Sequence, residues 1–119
     1  MYTIQQKAKE IAVTDYIKEY VDVEKFQGFC RDCRNYRQHW GCPPHDFDVL
    51  DYWRQFQRFH VVGIQILFDA ESRSRFYSQE EFDRLYHDCL LVESDRLMVD
   101  LTALEAQAPG SRVVYPGRC

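Results

Sequence analysis

The segment Phe59-His60-Val61-Val62-Gly63-Ile64-Gln65-Ile66-Leu67-Phe68 is the most apolar run of the chain and its strongest strand signal. Its valines and isoleucines branch at the β carbon, and such side chains favour extended backbone. Because apolar residues fall on both faces of the run, we expect both faces to be covered, as in the middle of a sheet. The segment therefore predicts a central strand over residues 59–68.

A long helix is predicted downstream of this strand. Ser78-Gln79-Glu80-Glu81 has the pattern of a capping box, in which the serine hydroxyl and the second glutamate satisfy backbone donors at a helix start. Pro109-Gly110 ends the pattern, and about 28 residues of helix would extend for about 42 Å. The predicted apolar stripe consists of Phe82, Leu85, Tyr86, Cys89, Leu90, Leu97, Leu101 and Leu104.

The rest of the chain predicts shorter elements. Residues 2–13 are compatible with an edge strand, Thr14 is suited to cap a short helix, and Asp48 to start another. Residues 28–44, with two glycines and a Pro-Pro pair, predict a loop, and residues 113–115 a short strand. The predicted fold class is α+β: a small sheet with a central apolar strand, packed on one long helix and two short helices.

Length and composition bound the function. The 119 residues fit one domain spanning 1–119, and 45% hydrophobic residues are typical of a globular protein. The formal charge of −4 argues against a nucleic-acid partner. The longest apolar run is too short to span a bilayer, and the N-terminus lacks the features of a signal peptide, so we expect a cytoplasmic protein without a membrane partner.

Three clustered cysteines are the strongest functional feature. The chain has five cysteines, and in a reducing compartment a cluster favours metal ligands over structural disulfides. Cys30 and Cys33 are spaced to hold one metal, while Cys42 precedes the stiff pair Pro43-Pro44 and supplies a third thiolate. A redox dithiol or unligated thiols are the competing interpretations. We predict a metal site at Cys30, Cys33 and Cys42.

The fourth ligand and the metal are left open by the sequence. His39 or His45 would complete a Cys3His zinc site, because zinc accepts thiolate and imidazole alike. Cys119 is the candidate for an iron–sulfur cluster, which prefers a fourth cysteine. A cluster with one open iron is chemically allowed as well. The predicted cofactor is therefore an iron–sulfur cluster or zinc. The predicted ligands are Cys30, Cys33, Cys42 and Cys119, with His39 or His45 as alternatives to Cys119.

Residues around the cysteines have competing interpretations. Tyr36 and Trp40 are candidates to shield a cluster from water, or are ordinary loop anchors. Interleaved arginines would offset thiolate charge, or form a solvated face. Cys89 is expected to be a buried inert thiol. These arginines are Arg31, Arg34 and Arg37. Of the two histidines outside the loop, His60 is expected to be a structural histidine and His87 to be solvated.

The motif resembles that of a known family. Tyr16-Ile17-Lys18-Glu19-Tyr20, Phe26 and Cys30-x-x-Cys33-x-x-Tyr36-x-x-x-Trp40-x-Cys42-Pro43-Pro44 are similar to the "predicted metal-binding protein" family of bacteria and archaea. The resemblance implies metal binding, with a strand and a long helix after the Cys-Pro-Pro segment. Members continue with a ferredoxin-like Gly-x-Cys-x-x-Cys-x-x-Cys stretch, whereas this sequence stops where that stretch would begin, at Gly117-Arg118-Cys119. The alternatives are a truncated chain, a proteolytic fragment and a naturally short member of the family.

Three functions follow from these observations. The first is an iron–sulfur protein that passes single electrons to a redox protein partner. The second is a zinc-stabilised binding module without catalysis, in which the metal fixes the cysteine loop. The third is a metal-dependent enzyme with an open coordination position, for which the sequence indicates no substrate and no acid–base pair.

Overall fold

The computed structural model describes residues 1–114, which form two strands and five helices. This confirms the α+β class. In chain order the elements are β1 (Tyr2–Ala12), α1 (Val13–Tyr20), α2 (Val23–Asp32), α3 (Val49–Arg54), β2 (Arg58–Phe68), α4 (Ala70–Ser74) and α5 (Gln79–Gln107).

The sheet is one antiparallel pair, β1 with β2. The N–H of Val13 donates to the carbonyl of Gln57 over 3.0 Å at one end, and the N–H of Asp69 donates to the carbonyl of Met1 over 2.9 Å at the other. Both bonds fit a single register. The predicted edge strand near the N-terminus is confirmed as β1.

The predicted central position of β2 is wrong for the part of the chain that the structure describes, because β1 is its only partner there. Half-buried Val62, Ile64 and Ile66 alternate with exposed positions that include Gly63 and Gln65. This period of two is typical of a strand covered on one face. In the sequence, Gly63 and Gln65 already alternate with apolar residues, which indicates one exposed face. The many β-branched residues around them favoured the prediction of two covered faces instead.

The described residues divide into two compact units. Met1–Lys7 and the residues from Gly63 onward form the first, and Ala8–Val62 form the second. Both strands contribute to both units. The interpretation of residues 1–119 as one domain stays a prediction.

The ends of α5 follow their sequence signals. The Ser78 hydroxyl accepts from the N–H of Glu81 over 3.2 Å, and the Glu81 carboxylate accepts from the N–H of Ser78 over 2.9 Å, which confirms the capping box. After the helix, the N–H of Ser111 donates to the carbonyl of Ala108 over 3.1 Å, and Gly110 has a φ of 86°. A proline followed by a glycine with positive φ is the pattern of a type II turn.

The predicted apolar stripe of α5 is partly wrong. Buried or half-buried side chains recur every four residues from Leu85 to Glu105 and form one ridge along the helix. Leu91, Ser94 and Met98 are half-buried outside this ridge. Four members of the predicted stripe are instead exposed: Phe82, Tyr86, Leu90 and Leu104. The buried ridge contains Leu85, Cys89, Glu93, Leu97 and Leu101.

Glu93 is the unexpected member of this ridge, with only 4% of its surface exposed. Its carboxylate accepts a hydrogen bond of 2.7 Å from the Tyr2 hydroxyl and one of 2.9 Å from the Arg96 guanidinium. A buried carboxylate needs such partners because burial removes its hydration. Glu93 therefore ties β1 to α5 inside the first unit.

The second unit is built around Val13, which is 1% exposed, and a group of aromatic rings. The ring of Phe59 on β2 lies 5.0 Å from that of Tyr16 on α1 and 5.4 Å from that of Trp53 on α3, both edge to face. Such geometry is favourable beyond the area it buries. The rings thereby hold α1 and α3 against the strand.

Three boundaries differ from the prediction. Thr14 lies inside α1, whose N-cap is Ala12 without a side-chain cap, because the helix continues directly from β1. Asp22 caps α2 through the N–H of Lys25, so residues 28–32 are helical and not loop. Four helices are short where two were predicted. Residues 113–114 form no strand, and Tyr115 lies outside the described residues.

Replacing Ser78 with alanine is expected to lower the free energy of unfolding by about 1 kcal/mol, because the cap of the longest helix is lost. Urea denaturation followed by circular dichroism measures the change. Thr102→Ala, in the exposed interior of the same helix, is the control and is expected to leave stability unchanged or slightly higher. Equal losses in the two variants would contradict the capping role.

The contact between Tyr2 and Glu93 predicts a dependence on alkaline pH. The hydrogen bond to the Glu93 carboxylate, then desolvation and the negative charge of Glu93, raise the pKa of Tyr2 above 10.0. The folded state thus keeps a proton that the unfolded state releases, so stability is present below pH 10 and falls as pH rises above it. Urea denaturation between pH 7 and pH 11 is expected to show a steeper fall in the native chain than in Tyr2→Phe; parallel curves would contradict this.

Candidate metal centre

The first two cysteines lie at the end of α2. Cys30 is in the last helical turn and Cys33 is the C-cap, whose N–H donates to the carbonyl of Cys30 over 3.1 Å. The mid-loop position predicted for this pair is therefore wrong, since the helix extends through Asp32. The pair leaves the helix at its carbonyl end, which is the negative end of the helix dipole.

Three tight turns connect Cys33 to Cys42. The N–H of Tyr36 donates to the carbonyl of Cys33 over 3.0 Å, that of Gln38 to Asn35 over 2.9 Å, and that of Cys42 to His39 over 2.9 Å. Within the second of these turns, one residue has a left-handed conformation that residues other than glycine rarely adopt. This residue is Arg37, with a φ of 63°.

The backbone of Asn35 contacts the sulfurs of both Cys33 and Cys42. The N–H of Asn35 donates to the Cys33 Sγ over 3.4 Å, and the Cys42 thiol donates to the carbonyl of Asn35 over 3.5 Å. The first bond is of the kind that stabilises a thiolate, because an N–H dipole points at the sulfur. Asn35 was not among the predicted site residues, although asparagine is a common turn residue and stands two positions after the CxxC pair.

The thiols differ in exposure. Cys30, Cys33 and Cys42 are half-buried, whereas Cys89 is buried as predicted. Desolvation, followed by the negative charges of Asp88 and Glu93, raises the pKa of the Cys89 thiol. Cys89 is thus an inert thiol within α5, and the half-buried cysteines are those open to chemistry.

The candidates for a fourth ligand lie in different surroundings. His39 and His45 are exposed, and the ring of His45 lies 5.6 Å from that of Phe47. Cys119 lies outside the described residues. Within residues 1–114, no group of three or more histidine, cysteine, aspartate or glutamate side chains is close enough to hold a metal ion. Cys30, Cys33 and Cys42 suit a soft metal in chemistry and share one short stretch of chain, but their side chains do not converge on one point.

Neighbouring aromatic residues are placed differently from each other. Tyr36 is half-buried, and the guanidinium of Arg37 lies 5.3 Å above its ring centre. Trp40 is 91% exposed. Their role as shields of a metal stays a prediction.

A shallow pocket of about 180 Å³ adjoins the cysteine loop. Two of its lining residues are sequence neighbours of the cysteines: Arg31 follows Cys30, and Pro43 follows Cys42. The other lining residues are Gln27, Tyr36 and Pro44. Gln27 was not among the predicted site residues. It stands four residues before Arg31 and therefore lies on the same face of α2.

A chain of ring contacts connects the loop to the strand. The ring of Phe47, just beyond the Pro-Pro pair, lies 6.2 Å from that of Tyr52, which lies 5.0 Å from Trp53. Trp53 in turn contacts Phe59 on β2. The segment that carries Cys42 is thus anchored to the hydrophobic part of the same unit.

The exposures predict an order of thiol reactivity. In the Cys119→Ser variant without metal, Cys30, Cys33 and Cys42 are expected to react with Ellman's reagent at pH 7 well before Cys89, because burial and a raised pKa deplete the Cys89 thiolate. Stopped-flow absorbance gives the phases, and mass spectrometry of labelled peptides assigns them. Fast labelling of Cys89 would contradict the assignment.

Comparisons with known proteins identify a family only. No curated protein and no solved structure matches the chain, and within the described residues no helix is long and apolar enough to cross a membrane. The model of one family, described as "Predicted metal-binding protein (DUF2284)", matches residues 16–119, a range that includes every cysteine and the loop described above. The chain belongs to this family of predicted metal-binding proteins.

Proposed function

We propose that Cys30, Cys33 and Cys42 ligate an iron–sulfur cluster and that the protein passes electrons to a redox protein partner. The family to which the chain belongs is described as metal-binding, without naming a metal. A bound cluster would supply a one-electron redox couple. The protein would supply the thiolates, hydrogen bonds to their sulfurs and the surrounding charge, which together set the potential.

The observation that carries this proposal is that the backbone of Asn35 contacts two of the three sulfurs, those of Cys33 and Cys42. Its N–H contacts one sulfur and its carbonyl accepts from the other thiol, at 3.4 and 3.5 Å. On deprotonation, the Cys42 thiol loses its hydrogen bond to the carbonyl and becomes free to turn toward a metal. Cys30, at the end of α2, would supply the third thiolate from one helical turn before Cys33.

Local charge supports thiolates at this position. Three deprotonated cysteines carry three negative charges, and Arg31, Arg34 and Arg37 are interleaved with them in the chain. None of these guanidiniums forms an ion pair with a carboxylate among residues 1–114, so their positive charge is available to the thiolates. Such neighbouring cations would offset part of the negative charge that three thiolates carry.

Zinc is the alternative, and one contact favours it. The N–H of Cys42 donates to the carbonyl of His39 over 2.9 Å, so one tight turn joins the two residues. An imidazole so close in the chain suits a Cys3His zinc site better than a cluster, which prefers Cys119 as the fourth ligand. The protein would then be a binding module whose cysteine loop is held by zinc.

Metal analysis of protein purified without oxygen tests the proposal. We expect iron and acid-labile sulfide in near-equal amounts, a broad absorption near 400 nm, and loss of both in Cys30→Ser, Cys33→Ser and Cys42→Ser. Cys89→Ser is the matched control and is expected to keep the native metal content, since Cys89 is buried in α5.

The outcomes separate the alternatives. One equivalent of zinc without iron would replace the cluster with the zinc module, and His39→Ala would then be expected to weaken zinc binding. Metal that survives in all three loop variants would contradict the assigned ligands. Absence of metal from the native chain, even after reconstitution with iron and sulfide or with zinc, would contradict metal binding itself.

A further inference from the structure

The pocket beside the cysteine loop has unused hydrogen-bond donors. Arg31, Gln27 and Tyr36 line it, and among residues 1–114 none of their side chains forms a hydrogen bond or an ion pair. The guanidinium, amide and hydroxyl all carry hydrogen-bond donors, and the three residues line one concave surface. The groups are therefore available to a ligand.

Arg31 has no carboxylate partner among residues 1–114, unlike Arg54 and Arg58 of the same unit. The guanidinium of Arg54 lies 3.0 Å from the carboxylate of Asp51, and that of Arg58 lies 3.6 Å from the carboxylate of Glu10. Arg31 instead lies along its own helix: its Nη2 is 3.8 Å from the place where a side chain on Gly28 would begin. The pocket thus holds a positive charge that the described residues leave without a carboxylate.

The remaining walls are stiff. Pro43 and Pro44 have ring-restricted backbones, and the Arg37 guanidinium packs over the Tyr36 ring at 5.3 Å. A ligand therefore meets two apolar proline rings and an aromatic ring held in place. Restricting these groups beforehand lowers the entropy lost on binding.

We propose that this pocket binds a small carboxylate. A guanidinium recognises a carboxylate through two parallel hydrogen bonds, and one positive charge matches one negative charge. Inorganic phosphate carries between one and two negative charges at neutral pH, so one guanidinium would not fully compensate it. The proline rings are suited to the apolar body of the ligand, and the volume of about 180 Å³ fits a molecule of benzoate size.

The pocket has a defined relation to the cysteines. Arg31 directly follows Cys30, Pro43 directly follows Cys42, and the Tyr36 N–H donates to the carbonyl of Cys33. A carboxylate bound here would lie beside the proposed metal centre. None of the pocket residues is a proposed ligand of the metal, however, so carboxylate binding stands on this pocket and does not depend on the metal.

Benzoate, its neutral analogue benzamide and inorganic phosphate distinguish carboxylate recognition from other binding. Each is titrated into ¹⁵N-labelled, chelator-treated protein, followed by the NMR signals of the Gln27 side-chain amide and the Arg31 Nε–H. We expect benzoate to bind with a Kd on the order of 1 mM, and benzamide and phosphate to bind at least about fivefold more weakly.

Matched arginine variants test the role of the guanidinium. Arg31→Gln is expected to weaken benzoate binding at least about fivefold. Arg34→Gln, which removes the same charge three residues away and outside the pocket, is expected to leave it unchanged. Native-like dispersion of the NMR spectra establishes that both variants are folded.

Several results would overturn the inference: no benzoate-dependent shifts at these signals, benzamide or phosphate binding as tightly as benzoate, or equal losses in the two arginine variants. The metal content of Arg31→Gln separates this inference from the proposed centre. If Arg31→Gln loses benzoate binding and keeps its metal, carboxylate recognition by the pocket is supported independently of the metal centre. If the native chain binds benzoate but takes up no metal, the proposed metal centre is contradicted and the carboxylate pocket is supported.

Discussion

The backbone hydrogen bond between Val13 and Gln57 closes the excursion of the chain that carries every described candidate ligand. Residues 14–56 leave the sheet at the end of β1, form three helices and the cysteine loop, and return at the start of β2. The strand pairing joins the two ends of this segment. The three helices between the strands therefore form part of a closed loop of chain. The buried side chain of Val13 and the ring of Phe59 stabilise this closure from within the unit.

The geometry of the candidate metal centre depends on the elements of this closed segment. Asp22 sets the start of α2, and the length of the helix then places Cys30 and Cys33 at its carbonyl end. The aromatic contacts from Phe47 to Phe59 anchor the other end of the loop. Two thiols at the end of the helix and one from the loop are thus supported by different elements, and the Asn35 backbone contacts two of the three sulfurs.

Local patterns in the sequence were sufficient wherever one short interaction decides the structure. The capping box at Ser78, the turn at Pro109-Gly110 and the strand over residues 59–68 all depend on neighbours in the chain. The central position of β2 and the apolar stripe of α5 were wrong because they depend on which partner covers each face. Glu93 is the clearest case, since its burial is explained by Tyr2, a residue far away in the chain.

The candidate site shows the same limit. Residue type and spacing were enough to select the three cysteines, because thiol chemistry belongs to the residue itself. They were not enough to find Asn35, which acts through its backbone, or Gln27, which becomes relevant only once a helix turns it toward Arg31. The different surroundings of Arg31 and Arg37 also follow from backbone conformation, with Arg37 in the left-handed region.

The buried pair of Tyr2 and Glu93 has a consequence for the specificity of folding. An apolar side chain at position 93 would attract many side chains of β1 about equally, whereas a carboxylate accepts a hydrogen bond only from a donor at the right distance. Slipping β1 by one residue would turn Tyr2 to the opposite face of the sheet. The carboxylate would then keep Arg96 as its partner and lose the tyrosine. Glu93 therefore discriminates against the shifted pairing, and the long helix selects the register of the first strand.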